Sequence, residues 1–255
     1  MDTPDLIALG KLAEDAARAA GQILRDEGKS LREVTFSDQR DVKLAADSAA
    51  EELIRKMLGK ASDIPVYGEE LGGDSGLIDR GELVWVVDPL DGTFNYLRGN
   101  PLCAVSIGLM RGEEPLFGVI YDFNNDRLFK GSSVEPFTIN GETHTPEWAD
   151  SLSNAGLCTG FPIGMNRDAT SMTQFVELIA PYKKVRMVGT AALAIAMVAS
   201  GQVDAYYESN IRLWDVAAGL ALVKAAGGTL KMTRGNPDLP LAYDVWAAGK
   251  PIFIQ

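Results

Sequence analysis

The chain has 255 residues, 46% of them apolar, which is enough to build a core in one large domain or two modest ones. Its 35 acids outnumber 24 bases for a formal charge of −11, and no Lys/Arg stripe is present to follow a phosphodiester backbone, so nucleic acid is not expected as a partner. The amino terminus lacks the cationic and unbroken apolar regions of a secretory signal, and the longest strongly apolar run, "AALAIAMVA", is about half the ~20 residues that span a bilayer, so no membrane partner is expected either.

The first predicted element is a helix over 5–27, with Leu6, Leu9, Ala13, Ala16, Ala17, Ala20 and Leu24 at helical spacing and Gly28 where it would stop. A second helix is expected from about Ala45 to Leu58. The period then changes: "DIPVYGEE" reads as a short strand into a loop, and "ELVWVV" as a buried strand, because it is β-branched, aromatic and uninterrupted. "LCAVSIGLM" and "PLFGVIYD", joined by a turn at "RGEE", and then "RLFKG" extend a mostly antiparallel sheet, with the first two helices packed on it. The second half alternates as α/β: strands at "NAGLCT", "KVRMV", "VDAYYE" and "VWAAG", and helices at Met172 to Ala180, 190 to 200 and Trp214 to Ala226. The polar, turn-rich "NGETHTPEWADSLS" suggests a boundary, giving an α+β domain over 1–145 with most of the candidate ligands and an α/β domain over 146–255 with the last of them.

Several chemistries lack their residues. Cys103 and Cys158 have no metal spacing and form no disulfide framework, which fits a reducing cytoplasm. A Ser-His-Asp hydrolase would rest on the one histidine, His144, which is read here as a solvated loop residue with no nucleophile motif beside it. A cysteine phosphatase needs an arginine six positions after its nucleophile, where Leu109 and Gly164 stand. "DFNNDRLFKGSS" starts like a calcium loop, but Arg127 replaces its glycine and Ser133 its closing glutamate. Catalysis is left to oxygen ligands.

The acids of "WVVDPLDGTFN" are the candidates. Asp88 closes a strand, Pro89 presets a tight turn that would bring Asp91 back beside it, and Gly92 allows close backbone approach to an anion at a helix starting near Thr93. Two carboxylates about 4 Å apart repel by ~4 kcal/mol at an effective dielectric of 20, so a cation belongs between them, and Mg²⁺ suits oxygen ligands and phosphate. Taken alone, "DPLDGT" also fits a strand-ending turn with capping acids. Glu69 and Glu70 fit a solvated acidic turn, and Asp215 fits a helix cap.

Together these segments resemble the inositol monophosphatase family: "GEE" at 68–70, "WVVDPLDGTFNY" at 85–96 and "WDVAAGLALVKAAGG" at 214–228 stand in the family's order. "DVKLAAD" ending at Asp47, "AVSIGL", "TGFP", "VGTAA" and "VASGQVDAYYE" extend the likeness over roughly residues 5 to 250. The resemblance implies an α+β/α/β fold layered as an alternating αβαβα sandwich, usually a homodimer. It also implies hydrolysis of small phosphate monoesters with two or three Mg²⁺ ions, and inhibition by lithium. By motif, Glu69, Asp88, Asp91, Asp215 and the Leu90 carbonyl would hold metal, with Glu70 as an acid standing behind these ligands or serving a third ion. Asp47 and Thr93 would act on the attacking water, the amides of Gly92 and Thr93 would hold phosphate, and Ala191 and Glu208 would meet the alcohol. Inositol monophosphate leads among substrates, with histidinol phosphate, fructose 1,6-bisphosphate and 3′-phosphoadenosine nucleotides as competitors. An interaction protein that keeps the fold is the reading from another class. Ala194, where many relatives carry Asp or Asn, and Arg212, expected near the mouth, are departures that bear on the alcohol.

Overall fold

In the computed structural model, residues 5–26, 33–37, 42–162 and 164–254 are described; Gly28 and Asp41, which figured above, lie outside them. In chain order the elements begin with helix α1 (Leu6–Asp26), strands β1 (Val34–Ser37) and β2 (Val42–Leu44), helix α2 (Ala45–Ala61) and strand β3 (Val66–Gly68). There follow the one-turn helix α3 (Gly76–Asp79), strand β4 (Leu83–Asp91), the short helix α4 (Thr93–Leu97) and strands β5 (Ala104–Arg111), β6 (Glu114–Asp122) and β7 (Arg127–Ser132). Strands β8 (Thr138–Ile139), β9 (Glu142–Thr143) and β10 (Gly156–Thr159), helix α5 (Ala169–Ile179) and strand β11 (Lys184–Arg186) come next. Helix α6 (Ala191–Ala199), strand β12 (Ala205–Arg212), helix α7 (Leu213–Ala225) and strands β13 (Thr229–Arg234) and β14 (Ala242–Ala248) complete the order.

Strands β3 to β9 form a seven-stranded sheet in sequence order, antiparallel except for the parallel β3/β4 pair. The second sheet runs β11-β10-β12-β14-β13, parallel among its first three strands and antiparallel beyond. On the large sheet's outer face, Ala13, Ala17, Ala20 and Leu24 of α1 and Ile54 of α2 pack against Trp85, Val87, Ile107 and Phe117. The opposite face, with Val84, Val86, Met110 and Ile120, shares one core with α6, α7 and Tyr206, Tyr243 and Val245 of the second sheet. Leu178 and Ile179 of α5 close the far side against Leu157, Ala205 and Trp246. The layers are therefore α, β, α, β, α.

This layering explains the composition of the helices. Helix α1 is amphipathic because it faces water on one side, whereas α6 and α7, buried between sheets, are apolar nearly all round. Each fully buried Val, Leu or Ile contributes roughly 1.5–3 kcal/mol. Close packing of α7 depends on a row of glycines across three strands, since Gly108 pairs with Gly118 and Gly118 with Gly131. A Cβ on Gly118 would lie 2.1 Å from the Ala218 carbonyl oxygen, and one on Gly108 would lie 2.8 Å from the Ala218 nitrogen. Helix α7 thus rests on bare backbone.

Strand β12 runs on through Arg212, past the predicted "VDAYYE". The β1/β2 and β8/β9 pairs and strand β13 were not expected; they are short or half-exposed, and β13 is an edge carrying Lys231 and Arg234. His144 is not a free loop residue: its Nε2 lies 3.0 Å from the Ser200 carbonyl oxygen and its ring packs edge-on against Phe137. Cys103 and Cys158 are both buried, and they form no disulfide among the described residues. Among the described residues no helix is long and apolar enough to cross a membrane.

Candidate metal and phosphate site

The end of β4 corrects one expectation. Pro89 does not break the strand into a tight turn; β4 continues through Asp91 with a bulge, Asp88 pairing with Ser106 and Asp91 with Ala104. Residues three apart on a regular strand face opposite sides, whereas the partners here are two apart. The extra residue returns both carboxylates to one face, the one packed under α6 and α7. Proline has no N–H for the ladder, which makes its position a natural place for that irregularity. The Leu90 amide donates to Asp88 Oδ1 at 2.9 Å and fixes the carboxylate's direction.

Two other elements bring their acids to this face. Strand β3 runs parallel to β4, with Gly68 beside Val87, so the next residue, Glu69, emerges next to Asp88; its amide donates to the Val87 carbonyl at 3.1 Å. Asp215 stands in the first turn of α7, and its Oδ2 accepts from the Arg212 amide at 3.2 Å. The capping reading of Asp215 is correct as far as it goes, but that carboxylate also faces the cluster. Oxygens of Glu69, Asp88 and Asp215 all lie within 4.8 Å of one another.

Electrostatics show what this convergence costs. Burial first, then the charge of Glu69, then those of Asp91 and Asp215 push the Asp88 carboxyl well above its ordinary range. Asp215 is raised for the same reasons, burial foremost and then Glu69, Asp91 and Glu208. A pair of charges at such a separation repels by roughly 3 kcal/mol at an effective dielectric of 20. Asp91 stands outside the closest triple because its Oδ2 is held at the start of α6 by the Thr190 hydroxyl and by the Ala192 amide at 2.6 Å. Burial lifts it to about 6 against those bonds and the pull of the Ala191 and Gly92 amides.

Residues around the triple complete the setting. Gly92 adopts φ 91°, and a Cβ there would stand 2.8 Å from the Leu102 carbonyl oxygen, so only glycine turns the chain into α4. The Thr93 hydroxyl lies 3.1 Å from Asp47 Oδ1 and 3.0 Å from the Leu90 carbonyl oxygen. Asp47, on α2, accepts from the Leu44 amide at 2.6 Å and is lifted to about 7, chiefly by burial. Glu70 pairs with Lys43 at 2.7 Å. A cleft of about 210 Å³ shares Asp91 and Asp215 with the cluster and is further walled by Thr159, Gly160, Ala191, Tyr206 and Glu208. Tyr206 donates to Glu208 Oε2 at 3.0 Å, and burial raises Glu208 to about 7. Arg212, next in the chain to the cleft residue Ile211, lies over Trp214 at 5.5 Å and donates to the Pro240 carbonyl at 2.8 Å. Ala194 is buried in the α6 core.

The donor set is all oxygen, and the Ser106 hydroxyl, across the ladder from Asp88, is buried without a partner. Clustered carboxylates beside a buried hydroxyl fit a hard, hydrated divalent cation. Sequence reasoning missed Thr190, Tyr206 and Lys43. Only Thr190 left a signal, its helix-capping position before Leu193, to whose amide it is bonded.

Comparison with known proteins agrees with this geometry. The model of the inositol monophosphatase family matches residues 6–253. The chain is 35% identical to a fructose-1,6-bisphosphatase/inositol-1-monophosphatase of Aquifex aeolicus, over 89% of this chain and 86% of that one. It is 38% identical to a protein of Xylella fastidiosa named Nus factor SuhB, over 90% and 83%. The solved inositol monophosphatase of Anabaena superposes with a TM-score of 0.80 at 30% identity, covering 98% of this chain and 94% of that one. By motif, layering and relatives alike, the chain belongs to the inositol monophosphatase family, metal-dependent hydrolases of phosphoric monoesters.

Proposed function

We propose that the chain hydrolyses small polyol phosphates, inositol-1-monophosphate foremost, with two or three Mg²⁺ ions, as a lithium-sensitive cytoplasmic homodimer. The observation that carries this reading is the convergence of Glu69, Asp88 and Asp215 within 4.8 Å. These three, Asp91 and the Leu90 carbonyl would hold the ions, with Glu70 as an auxiliary acid. Bound there, Mg²⁺ would acidify a water and neutralise the charge developing on the phosphate oxygens.

The chain's own groups do the rest. Thr93, bonded to Asp47, stands ready to orient the water, and Asp47, with its proton affinity lifted to about 7, can take up a proton near neutrality. The backbone at Gly92 and Thr93 offers amides to the phosphate. Glu208, aimed by Tyr206, accepts hydroxyl donors of the alcohol, and Ala191 forms the adjoining wall.

The test is a substrate panel: inositol-1-phosphate, histidinol phosphate, fructose 1,6-bisphosphate and 3′-phosphoadenosine 5′-phosphate, each with and without Mg²⁺. Inositol-1-phosphate should have the highest kcat/KM, with no phosphate released in chelator. Absence of phosphate release from every ester at any Mg²⁺ concentration would defeat the reading. The relative named Nus factor SuhB favours a second reading, an interaction protein on the same fold. A stoichiometric macromolecule co-purifying with an inactive chain would select it.

A further inference from the structure

Helix α2 presents Asp47, Glu51 and Arg55 at intervals of four residues, and so along one face. Asp47 reaches Thr93, but the other two reach the segment that carries Glu69 and Glu70. Glu51 is wholly buried. Its Oε2 accepts from the Glu70 amide at 2.7 Å, and its Oε1 accepts from the Leu71 amide at 3.2 Å and from Arg55 Nε at 2.7 Å. Arg55 in turn donates to the Val66 carbonyl at 3.2 Å and to the Gly72 carbonyl. The pair thus supplies acceptors to two loop amides and donors to one carbonyl of the preceding strand β3 and one of the loop itself. A Cβ on Gly68 would fall 2.1 Å from Glu51 Oε1, so the carboxylate fills the space above a glycine, one residue before Glu69.

We propose that Glu51 and Arg55 are a positioning pair that sets the Glu69–Glu70 segment against Asp88 and thereby tunes how tightly the site takes a divalent cation. This rests on the metal reading given above. An ion pair with one partner wholly buried is seldom a better stabiliser than apolar side chains of like volume, so its presence under this loop calls for another reason. The reason is geometric: amides at 70 and 71 are fixed by charge-assisted bonds, which are shorter and more directional than neutral ones, and Glu69 is carried with them. Arg55 serves through its planar fork, which a lysine lacks.

The experiment is calorimetric titration of chelator-stripped Glu51→Gln, Arg55→Lys and Gly68→Ala with MgCl₂, alongside their thermal melts. Each variant should melt cooperatively and bind Mg²⁺ about 10–100-fold more weakly than the parent, the range typical of partners that orient metal ligands. At saturating Mg²⁺, KM for the ester should stay within about twofold of the parent. A cooperatively folded Glu51→Gln protein with a Kd within about twofold of the parent would reduce the pair to a structural role. If Glu51→Gln does not fold, Arg55→Lys, whose side chain is partly exposed, decides by the same criterion. A folded parent that takes up no Mg²⁺ would overturn the metal reading itself, and is told apart because then all four proteins behave alike.

Discussion

Stripping divalent ions and raising the pH from 5 to 8 should make this protein easier to unfold. Burial holds Asp47 at about 7 and Asp91 at about 6, against an ordinary value of 3.8. A carboxyl with a higher pKa folded than unfolded binds its proton more tightly in the native state. Its contribution to stability is complete below the unfolded value and is lost as the pH rises through the folded one. At 1.36 kcal/mol per unit, the stretch from pH 5 to the folded values takes about 3 kcal/mol from Asp47 and about 1 kcal/mol from Asp91. Together, about 4 kcal/mol, they are a large fraction of the stability of a typical domain, about 5–15 kcal/mol. Asp88, Asp215 and Glu208 are raised as well and act in the same direction. Asp74, Asp150 and Asp168, whose pKa values are lowered by surface hydrogen bonds, are already ionised and contribute nothing in this window. Each kcal/mol moves Tm by roughly 2–4 °C in a chain of this size, so the metal-free protein should lose about 8–16 °C between pH 5 and pH 8. Differential scanning fluorimetry in EDTA measures this, and saturating Mg²⁺ should restore most of it at pH 8 and little at pH 5. A metal-free Tm that holds steady or climbs over this range would refute the placement of these acids.

Asp91→Asn should reduce turnover to about 1% or less while leaving circular dichroism unchanged, because the amide oxygen can still accept from Thr190 and Ala192 but the charge is gone. Collapse of the spectrum would make the acid structural. Glu208→Gln should raise KM for inositol-1-phosphate about 10-fold more than for p-nitrophenyl phosphate, which has no hydroxyls to offer. Equal effects on both esters would remove Glu208 from the alcohol subsite. Gly118→Ala, with its Cβ forced onto the Ala218 carbonyl, should cost about 1–3 kcal/mol by urea titration and also weaken Mg²⁺ binding through Asp215. An unchanged midpoint would mean that α7 is not seated on the glycine row.

Periodic elements were legible because their signal is local. The apolar stripe of α1 and the unbroken run of β4 each state their own burial, and α7 opens and ends where Asp215 and the glycines at 227 and 228 suggest. Strands β1 and β13 were missed because exposed edges carry no such stripe. Pro89 was misread as a turn former for a related reason: whether a proline turns a chain or bulges it depends on the strand beside it, and Ser106 and Ala104 lie far from it in sequence. Glu51, Lys43 and Tyr206 left no trace at all, because two backbone amides, a loop carboxylate and a cleft acid are partners that only the folded chain supplies.

The acids themselves were visible, but each had an adequate local role as a turn, a cap or a solvated pair. Non-local geometry adds the second role: the parallel β3/β4 register delivers Glu69, the bulge turns Asp91 to the side of Asp88, and the glycine row lets α7 approach closely enough to bring Asp215. Neither the register nor the glycine row contains a ligand, and the bulge turns on Pro89; removing any one of the three would scatter the carboxylates without changing their identity. Metal affinity in this chain should therefore be as sensitive to substitutions at Gly108, Gly118 or Pro89 as to conservative changes among the acids. That sensitivity follows from packing, since a backbone in contact with backbone cannot yield by rotating a side chain.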